Sequence, residues 1–446
     1  MLMNHVEEVP TVLIVGGGLA GLFCALECLR NGFSPTVLES REAIQSAGDF
    51  ITVGPAAIKA MRRWAIVDAA LNKKAYTPDI YYHKQDGEQV AGPMPNHPNF
   101  GVLISRPALH EALMEAVLAE GIKIQCSKKV VRYFETDHEG CVELAEGDIM
   151  SATLVVAADG IHSKSWKLIG GVEPKIYPSG LAMFRAAFPL EYAMADKSLQ
   201  PKWKPSEHAD KMGFFLSGKS FGIILFGQDK ASWIWQHNEN PETSQESWSE
   251  TLSAEEALKQ LDAEGQWGAD LRATIASTPP NHIIDWRLMR RELKREWASP
   301  KGRVIQIGDA AHPYLPTTVN GATQALEDGV SLARCLCLAV DRYGVSAIPD
   351  AAKVHNVLRF DRVAAIERTG MVRTNKHRQV DFEAVKENPQ LIRNEPAQWQ
   401  VEHDPQEYAE EKFLDCYNCL KEGKEFVNTN KPEGFVFEPL STSSDA

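Results

Sequence analysis

The stretch TVLIVGGGLAGLFCALECLRNGFSPTVLE, residues 11–39, predicts a strand, a helix and a second strand in close succession. Val12–Val15 is a continuous apolar run, which is typical of a parallel strand buried on both faces. Beyond it, apolar residues recur at helical spacing: Leu22, Ala25, Leu26 and Leu29. Gly32 ends this helix, and the apolar run 36–38 forms the next strand. The stretch therefore predicts the first unit of an α/β fold.

Three glycines separate the first strand from the helix, and each has its own physical reason to be there. Gly16 permits a tight turn, Gly18 lets the backbone approach a pyrophosphate, and Gly21 lets helix and strand pack closely. The helix N-terminus adds free N–H groups and the positive end of its dipole. Glu39 follows Gly21 by 18 residues (39 − 21), where a carboxylate can hold a ribose diol. These features predict a dinucleotide site; the alternative is a glycine-rich turn in an α/β core.

The bulk composition is that of an ordinary globular chain. Its 446 residues are enough for two or three domains with their own cores. The net charge of −13 and the isoelectric point of about 5.5 argue against nucleic acid and against an anionic membrane surface as partners. We expect no secretory signal and no membrane span, because the start of the chain lacks the signal pattern and glycines interrupt the longest apolar stretch.

The cysteine pattern indicates a reducing compartment. Eight cysteines in a chain of this length do not form a disulfide framework. Cys416 and Cys419 make one CxxC pair without a second pair or a nearby His, which favours ordinary helix residues over a redox or zinc site. We expect a cytoplasmic protein, monomeric or homodimeric, with no metal site.

Two further apolar strands end in motifs that accompany the glycine turn. Leu154–Ala158 is followed by Asp159-Gly160, and Val304–Ile307 by Gly308-Asp309-Ala310-Ala311-His312-Pro313. Together the three motifs resemble the single-component, class A FAD-dependent aromatic monooxygenases. The salicylate-hydroxylase-like branch, which includes fungal secondary-metabolite oxidases, is the most similar. The resemblance covers about residues 10–375 and the segment Trp399–Tyr408.

The resemblance implies one non-covalent FAD, with NADH or NADPH as a transient co-substrate. It also implies that a flavin hydroperoxide, formed with O2, delivers one oxygen atom to a small aromatic substrate. An Asp at a strand end can accept hydrogen bonds from ribityl hydroxyls, and a helix N-terminus can face the flavin's pyrimidine edge. The family's cofactor-binding positions match Gly16, Gly18, Gly21, Glu39, Arg41, Gly48, Arg106, Val130, Asp159, Gly308, Asp309, Pro316, Gly321 and Ala322.

The remaining segments predict the domain organisation. Residues 76–100 and about 176–280 contain aromatic-rich, strand-like segments with Gly, Pro and Lys turns. We predict a Rossmann-type FAD-binding domain of the para-hydroxybenzoate-hydroxylase kind, a mixed β-sheet substrate domain inserted into it, and a C-terminal helical appendage with a flexible tail. The predicted bounds are, in that order, 1–75 with 100–175 and 281–375, then 76–99 with 176–280, then 376–446.

The substrate domain offers aromatic side chains and one cation as candidate site residues. The aromatic residues expected to line an apolar pocket are Phe184, Phe214, Phe215, Phe226, Trp233 and Trp235, the alternative being the sheet core. Strand alternation places Arg185 on the same face as Met183 and opposite to Phe184. A cation there is costly to bury unless it meets an anion or a strong acceptor. The resemblance implies that Arg185 is catalytic and reaches the substrate or the hydroperoxide, the alternative being a salt bridge between domains.

The chain departs from the family pattern at several positions. Trp166 stands where the Asp-Gly motif commonly ends with Arg, and Val319 replaces the first of two loop glycines. Asp49 and Phe50 stand where small residues are frequent, and Phe226 replaces a sheet tyrosine often found over the substrate. In the family, these positions lie near the nicotinamide cofactor, the flavin and the substrate.

The sequence therefore predicts a FAD-dependent NAD(P)H monooxygenase that hydroxylates an aromatic ring in secondary metabolism. The alternative within enzymes is an epoxidase or dearomatising oxidase of an indole-like natural product. The alternative outside enzymes is a non-catalytic binding protein on the same fold. The intact Gly-Asp-Ala-Ala-His-Pro motif argues against the last alternative, because a protein without FAD has no need of Asp309.

Overall fold

The computed structural model describes residues 9–43, 48–239, 250–393 and 395–439, without the side chains of 371 and 373–378. The predicted flexible tail at the end of the chain lies outside the described residues. The first predicted unit is confirmed, with a strand at Thr11–Val15, a helix at Leu19–Arg30 and a strand at Ser34–Leu38.

A five-stranded parallel sheet is the centre of the first domain. Its strands lie in the order Val304–Gln306, Leu154–Ala157, Thr11–Val15, Ser34–Leu38 and Lys123–Gln125. Val15 lies opposite both Ala157 and Leu38, so the carboxyl ends of these strands form one edge. The three sequence motifs that follow the strands therefore meet at this edge.

Alternate residues of the central strand face two different layers. Val12 and Ile14 pack into a core with the helices Leu19–Arg30 and Gly321–Tyr343. Other helices behind the sheet are Pro55–Met61, Ala65–Lys74, Arg106–Ala119, Ile348–Arg378 and Pro405–Lys421. Leu13 and Val15 face a three-stranded antiparallel sheet of Val130–Glu135, Gly140–Leu144 and Ile149–Ala152. Both faces are covered, which explains the unbroken apolar run.

An eight-stranded mixed sheet is the centre of the second domain. Its order is Thr251–Leu252, Ile283–Arg291, Ile176–Pro189, Lys230–Asn238, Phe221–Phe226, Asp210–Leu216, Pro78–Lys84 and Gln89–Pro95. Only the pairing of Asp210–Leu216 with Pro78–Lys84 is parallel. The strand Ile283–Arg291, which the predicted boundary at 280 left in the FAD-binding domain, pairs along Ile176–Pro189 in this sheet. The predicted fold class, a Rossmann-type domain with an inserted mixed sheet, is confirmed.

Smaller elements connect these layers. A three-stranded sheet of Phe50–Val53, Val102–Ser105 and Ala75–Tyr76 lies between them. The helices Ala254–Ala263 and Ala269–Ala276 cover one face of the eight-stranded sheet. The remaining short helices are Trp166–Ile169, Leu190–Met194, Gln200–Trp203, Phe382–Glu387 and Gln398–Val401.

The first part of the C-terminal appendage, residues 380–392, packs on the same eight-stranded sheet, whereas the helix Pro405–Lys421 packs into the core of the first domain. Phe382, Val385 and Ile392 form an apolar cluster with Phe214 and Phe221 of the sheet. No helix within the described ranges is long and apolar enough to cross a membrane. The appendage therefore contacts both domains.

Candidate active site

The glycine turn has the geometry that the sequence predicts. Gly16 has a φ of 113°, and a Cβ there would lie 2.3 Å from the carbonyl oxygen of Ala158. A Cβ on Gly21 would lie 2.0 Å from the carbonyl oxygen of Gly16. By contrast, a Cβ on Gly18 would meet nothing within 4 Å, and no side chain caps the helix that Gly18 begins. Two glycines therefore serve packing, while the third leaves open space and free N–H groups for an anion.

The carboxylate of Glu39 is held at the edge of this turn. Its Oε2 accepts a hydrogen bond from the backbone N–H of Gly17 at 3.0 Å, and its Oε1 accepts one from Arg41 at 2.9 Å. The carbonyl of Glu39 accepts from the backbone N–H of Lys128, two residues before Val130. The structure thus brings Glu39 and Arg41 together at the end of the second strand, with Val130 two residues beyond the contact at Lys128.

A histidine that the sequence reasoning missed also orients the turn. His110 is buried on the helix Arg106–Ala119, and its Nε2 lies 2.7 Å from the carbonyl oxygen of Gly17. Burial lowers the pKa of His110, so the neutral ring donates through Nε2. No pattern around His110 in the sequence distinguishes it from a core residue.

The strand Val304–Gln306 leads to Gly308 and Asp309 at the same edge of the sheet. Gly308 has a φ of 57°, and a Cβ there would lie 3.0 Å from the Cβ of Ala20 in the first helix. Water reaches the Asp309 side chain, yet protein atoms surround it closely. This desolvation raises the pKa of Asp309, while the charges of His312 and Arg106 lower it. Asp309 is therefore a cleft residue and not part of the packed core.

Arg106 and Gly48 approach the site from the small sheet. The backbone N–H of Arg106 donates to the carbonyl of Asp49 at 2.8 Å. Gly48 has a φ of 125°, and a Cβ there would lie 3.1 Å from the Cδ of Arg106. Desolvation lowers the pKa of Arg106, and the charge of Asp309 opposes this change. The structure therefore groups Gly48, Arg106 and Asp309, which lie far apart in the sequence.

The loop Tyr314–Asn320, called the flavin loop below, leads into the helix that begins at Gly321. Pro316–Thr318 forms one turn of 3-10 helix, and Val319 follows with φ 55° and ψ 20°. This left-handed conformation favours glycine, which explains the family's glycine at the position of Val319. No side chain caps the helix, so the N–H groups of its first residues, Gly321 and Ala322, are available to an anion or a polar edge.

Asp159 lies beside the turn but is held by protein groups. The Tyr133 hydroxyl donates to Asp159 Oδ2 at 2.6 Å. Asp159 Oδ1 is buried and has no hydrogen-bond partner in the described part of the chain. Burial raises the pKa of this carboxyl, and the bond from Tyr133 lowers it.

Trp166 begins a short helix, with the ammonium of Lys167 5.6 Å from the centre of its ring.

These features fit FAD. The open space at Gly18 fits a pyrophosphate, the fixed carboxylate of Glu39 fits a ribose diol, and Asp159 Oδ1 is an acceptor without a donor. The carboxyl of Asp309 is open to solvent on one side and closely surrounded by protein on the others, so ribityl hydroxyls can bind it. In the described segments no group of three His, Cys, Asp or Glu residues is placed to hold a metal ion.

Arg185 meets an anion across the interface between the two sheets. Its Nη1 lies 3.5 Å from Asp49 Oδ2, and its guanidinium carbon lies 4.5 Å from the centre of the Trp286 ring. Both charged side chains are largely buried. Burial raises the pKa of Asp49, and Arg185 and Arg106 lower it. The pair is the salt bridge between domains that the sequence analysis gave as the alternative, and the catalytic role of Arg185 stays a prediction. Trp286 is a neighbour that the sequence did not identify.

The aromatic residues expected in the pocket mostly form core instead. Five of them are fully buried under the helices Ala254–Ala263 and Ala269–Ala276: Phe184, Phe215, Phe226, Trp233 and Trp235. They lie on the face opposite to Arg185, because adjacent strand residues alternate. The pocket prediction is therefore wrong for these five, and Phe226 does not occupy a position over a substrate. Phe214 is on the other face, with Phe221 and the appendage.

A buried ionic network behind the Gly-Asp motif was also missed. It consists of Glu327, Asp328, Arg359 and Arg362, all at most 1% exposed. Asp328 Oδ2 accepts from the backbone N–H of Gly308 at 2.9 Å and lies 2.6 Å from His312 Nε2. The sequence offered two signals for this network. One is the pair of acids in a mostly apolar helix, and the other is the two arginines three residues apart. His312 therefore orients this network and is not a free base.

Comparisons with known proteins show the family of this chain. A model of the FAD binding domain family matches residues 9–355. A FAD-dependent monooxygenase of Gibberella fujikuroi is 35% identical over 445 residues, covering 96% of this chain and 84% of the relative. The notoamide E oxidase of an Aspergillus species is 30% identical over 435 residues, covering 95% and 93%.

Solved structures show the same fold. The crystal structure of CtdE with FAD and a substrate has a TM-score of 0.83 and 28% identity, covering 92% of this chain and all of that one. A salicylate hydroxylase substrate complex has a TM-score of 0.70 and 20% identity, covering 90% and 97%. The chain therefore belongs to the class A FAD-dependent monooxygenases. It is an oxidoreductase and a flavoprotein, its fungal relatives indicate secondary metabolism, and the alternative of a non-catalytic binding protein is excluded.

Proposed function

We propose that this monooxygenase uses NADH or NADPH and O2 to insert one oxygen atom into an aromatic substrate. The flavin, when bound, supplies the oxygen chemistry, through the hydroperoxide that the family resemblance implies. The chain supplies binding, orientation and exclusion of water. The observation that carries the proposal is Arg185, a guanidinium held on the sheet face that meets the flavin domain.

The proposed cofactor site follows the order of the strand ends. The glycine turn and helix N-terminus hold the pyrophosphate, Glu39 holds the adenosine ribose, and Arg41 with Val130 borders the adenine. Asp309 and Arg106 hold the ribityl chain, with Asp159, Gly48 and Gly308 shaping the space around it. Pro316, Gly321 and Ala322 face the pyrimidine edge, where helix N–H groups stabilise negative charge.

Arg185 is the proposed catalytic residue. On the sheet it lies beside Met183 and Ile284, and opposite to the aromatic core. A guanidinium in this position can orient a carbonyl, phenolate or carboxylate of the substrate, or donate a hydrogen bond to the oxygen donor. Asp49 holds it in place and balances its charge until the substrate binds.

Arg185→Ala tests this role. The variant should bind FAD normally, because Arg185 lies on the substrate side, but it should lose product or release hydrogen peroxide in place of product. The measurement is the ratio of product to NAD(P)H consumed, with an aromatic compound present and absent. Arg287→Ala, a half-buried arginine on the other face of the sheet, is the control. Wild-type turnover and coupling in Arg185→Ala would remove Arg185 from the site.

We also propose that one FAD binds without a covalent bond, since no motif places a His or Cys for attachment. Acid precipitation should release all flavin into the supernatant. Asp309→Ala should purify with little flavin, because it loses the acceptor for the ribityl hydroxyls. Flavin retained on the denatured chain would contradict the first expectation, and full flavin content in Asp309→Ala would contradict the second.

The second candidate is epoxidation or dearomatising oxidation of an indole-like natural product. The 30% identity to a notoamide E oxidase favours it. Both reactions use the same flavin and the same Arg185, so the substrate decides between them. A product in which the ring has lost its aromaticity would favour this candidate over hydroxylation.

A further inference from the structure

The peptide group between Gly17 and Gly18 lies where the open space of the glycine turn begins. Its carbonyl oxygen is 2.7 Å from His110 Nε2. Its N–H group, on Gly18, has no acceptor in the part of the chain that the structure describes. A trans peptide directs its C=O and its N–H to opposite sides. One side of this peptide therefore meets His110, and the other side is free for an anion.

The contact with Gly17 determines where the imidazole ring of His110 carries its hydrogen. A carbonyl oxygen only accepts, so Nε2 is the donor, and the lone pair of the neutral ring is on Nδ1. His110 is 4% exposed, and its buried Nδ1 has no hydrogen-bond partner within the described ranges. Buried polar atoms are rarely left in this state. Nδ1 is therefore the position of the ring at which a proton can bind without breaking the contact with the turn.

Groups on the helix, the strand end and the turn act on the charge of His110. Burial and the cation of Arg106, one turn earlier on the same helix, oppose a positive ring. The bond to the Gly17 carbonyl and the charges of Glu39 and Glu111 favour it. The opposing effects are larger, so the pKa of His110 lies below its ordinary value of 6.5. Without an anion at the turn, the ring is therefore neutral near pH 7.

We propose that His110 takes up one proton at Nδ1 when the pyrophosphate of FAD binds at the glycine turn. This inference rests on the cofactor site of the proposed function and adds to it a positioning residue and a coupled proton. Binding places two negative charges on the free side of the Gly17–Gly18 peptide, and these favour a cation on the other side. The proton comes from the solvent, an N–H bond forms at Nδ1, and no other bond changes.

The charged ring acts on the phosphate through the peptide. A charge-assisted hydrogen bond to the Gly17 carbonyl is stronger than a neutral one, and it polarises the peptide group. The Gly18 N–H on the opposite side then becomes a stronger donor to the phosphate. His110 therefore couples FAD affinity to pH, with tighter binding at the pH values where the bound state keeps the proton.

Calorimetric titration of the apoprotein with FAD, in two buffers of different ionisation enthalpy, counts the protons. Between about pH 5.5 and 8, wild type should take up as much as one proton per FAD. Its affinity should rise as pH falls, by at most about tenfold per pH unit. His110→Gln should show less uptake and a flatter pH dependence, because its amide donates to the Gly17 carbonyl but takes no proton. His208→Gln, an exposed histidine of the second domain, should match wild type.

His110→Leu separates the donor from the proton. It removes both, so it should bind FAD more weakly than His110→Gln at every pH. A histidine with a structural role only would change the affinity by the same factor throughout the pH range. Equal proton uptake in wild type and His110→Gln, or pH profiles of FAD affinity that run parallel, would overturn the inference. A wild-type protein that binds FAD without proton uptake would overturn it as well and would leave the proposed function standing, which the coupling measurement on Arg185→Ala tests separately.

Discussion

At the scale of single residues, Glu39 joins two parts of the dinucleotide site. One carboxylate oxygen orients Gly17 in the glycine turn, and the other orients Arg41 after the second strand. The backbone therefore already fixes the carboxylate that we propose to bind the ribose. A fixed acceptor loses less conformational entropy on binding a diol than a free one does.

Glu39→Gln should weaken FAD binding while leaving the fold intact. An amide has one acceptor oxygen and no charge, so it cannot accept from both backbone groups and a ribose diol together. Loss of charge-assisted bonds corresponds to about 1.5–3 kcal/mol of FAD binding free energy. Equilibrium titration of apoprotein with FAD gives the change directly. A dissociation constant equal to that of wild type would assign Glu39 a structural role only.

Val319 holds a conformation that a β-branched residue adopts at a cost. Its φ of 55° is in the left-handed region, and its side chain is 40% exposed, so packing compensates little of this cost. Val319→Gly should raise the free energy of unfolding by about 1 kcal/mol, the strain relieved less the entropy of glycine. Val319→Ala, which keeps a Cβ but removes the branch, should gain less. Denaturant unfolding of the apoproteins measures both, and a destabilised Val319→Gly would show that the valine packing matters more.

At the scale of elements, the buried ionic network ties two long helices to the cofactor strand. Arg359 donates to Glu327 at 2.6 Å and to Asp328 at 2.8 Å, and Arg362 donates to Glu327 at 3.0 Å. Two acids and two arginines balance, so no net charge is buried. Through Asp328 and Gly308 the network fixes the strand end that carries Asp309.

Breaking this network should be costly. Arg362→Met removes one cation and leaves the carboxylate of Glu327 under-compensated, which typically costs about 3–5 kcal/mol for a buried pair. Lys424→Met is the matched control, since it breaks an ion pair with Glu422 in which both side chains are more than half exposed. That change should cost less than about 1 kcal/mol. Equal losses of unfolding free energy in the two variants would contradict a special role for the network.

The network also predicts how stability depends on acid. Burial opposes ionisation of Glu327, but the charges of Arg362 and Arg359 outweigh it and lower the pKa to about 2. Because this pKa is below the ordinary value of 4.5, the unfolded state binds more protons than the folded state between pH 4.5 and about 2. The contribution of Glu327 is therefore fully present above about pH 4.5 and is lost as pH falls toward 2. Glu327→Gln should unfold with a shallower pH dependence in this window, and an unchanged slope would contradict the assignment.

At the scale of the whole molecule, the C-terminal appendage holds the two sheets together. Arg362 donates to the carbonyls of Trp399 and Gln400 at 3.0 and 3.1 Å, which connects the ionic network to the appendage. At its other end the appendage covers Phe214 and Phe221 of the sheet. The same segment therefore covers one face of the eight-stranded sheet and helps to hold the strand that carries Asp309.

Removing residues 380–446 should leave a chain that aggregates or loses FAD. The truncation exposes the apolar cluster of the sheet and leaves N–H groups of Arg362 without acceptors. Removing only residues 440–446 is the control and should preserve solubility and flavin content. Flavin-to-protein ratio and light scattering measure both, and a soluble yellow protein from the longer truncation would contradict this role.

The sequence by itself determined the parts of the protein whose residues are close in the chain. The glycine turn, the strand–helix–strand unit and Glu39 lie within 11–39, so periodicity and turn chemistry identify them. The two later motifs identified further strand ends, and the family resemblance joined them to FAD. Alternation also separated Arg185 correctly from Phe184.

Only the tertiary structure decided which face of the second sheet meets the flavin domain. Alternation divides a strand into two faces but does not say which face is core, and helices far along the chain cover the one with Trp233 and Trp235. For the same reason the sequence did not show Trp286 beside Arg185 or His110 beside Gly17. Each of these contacts joins residues more than ninety positions apart or on different elements, and long-range packing, not local pattern, brings them together.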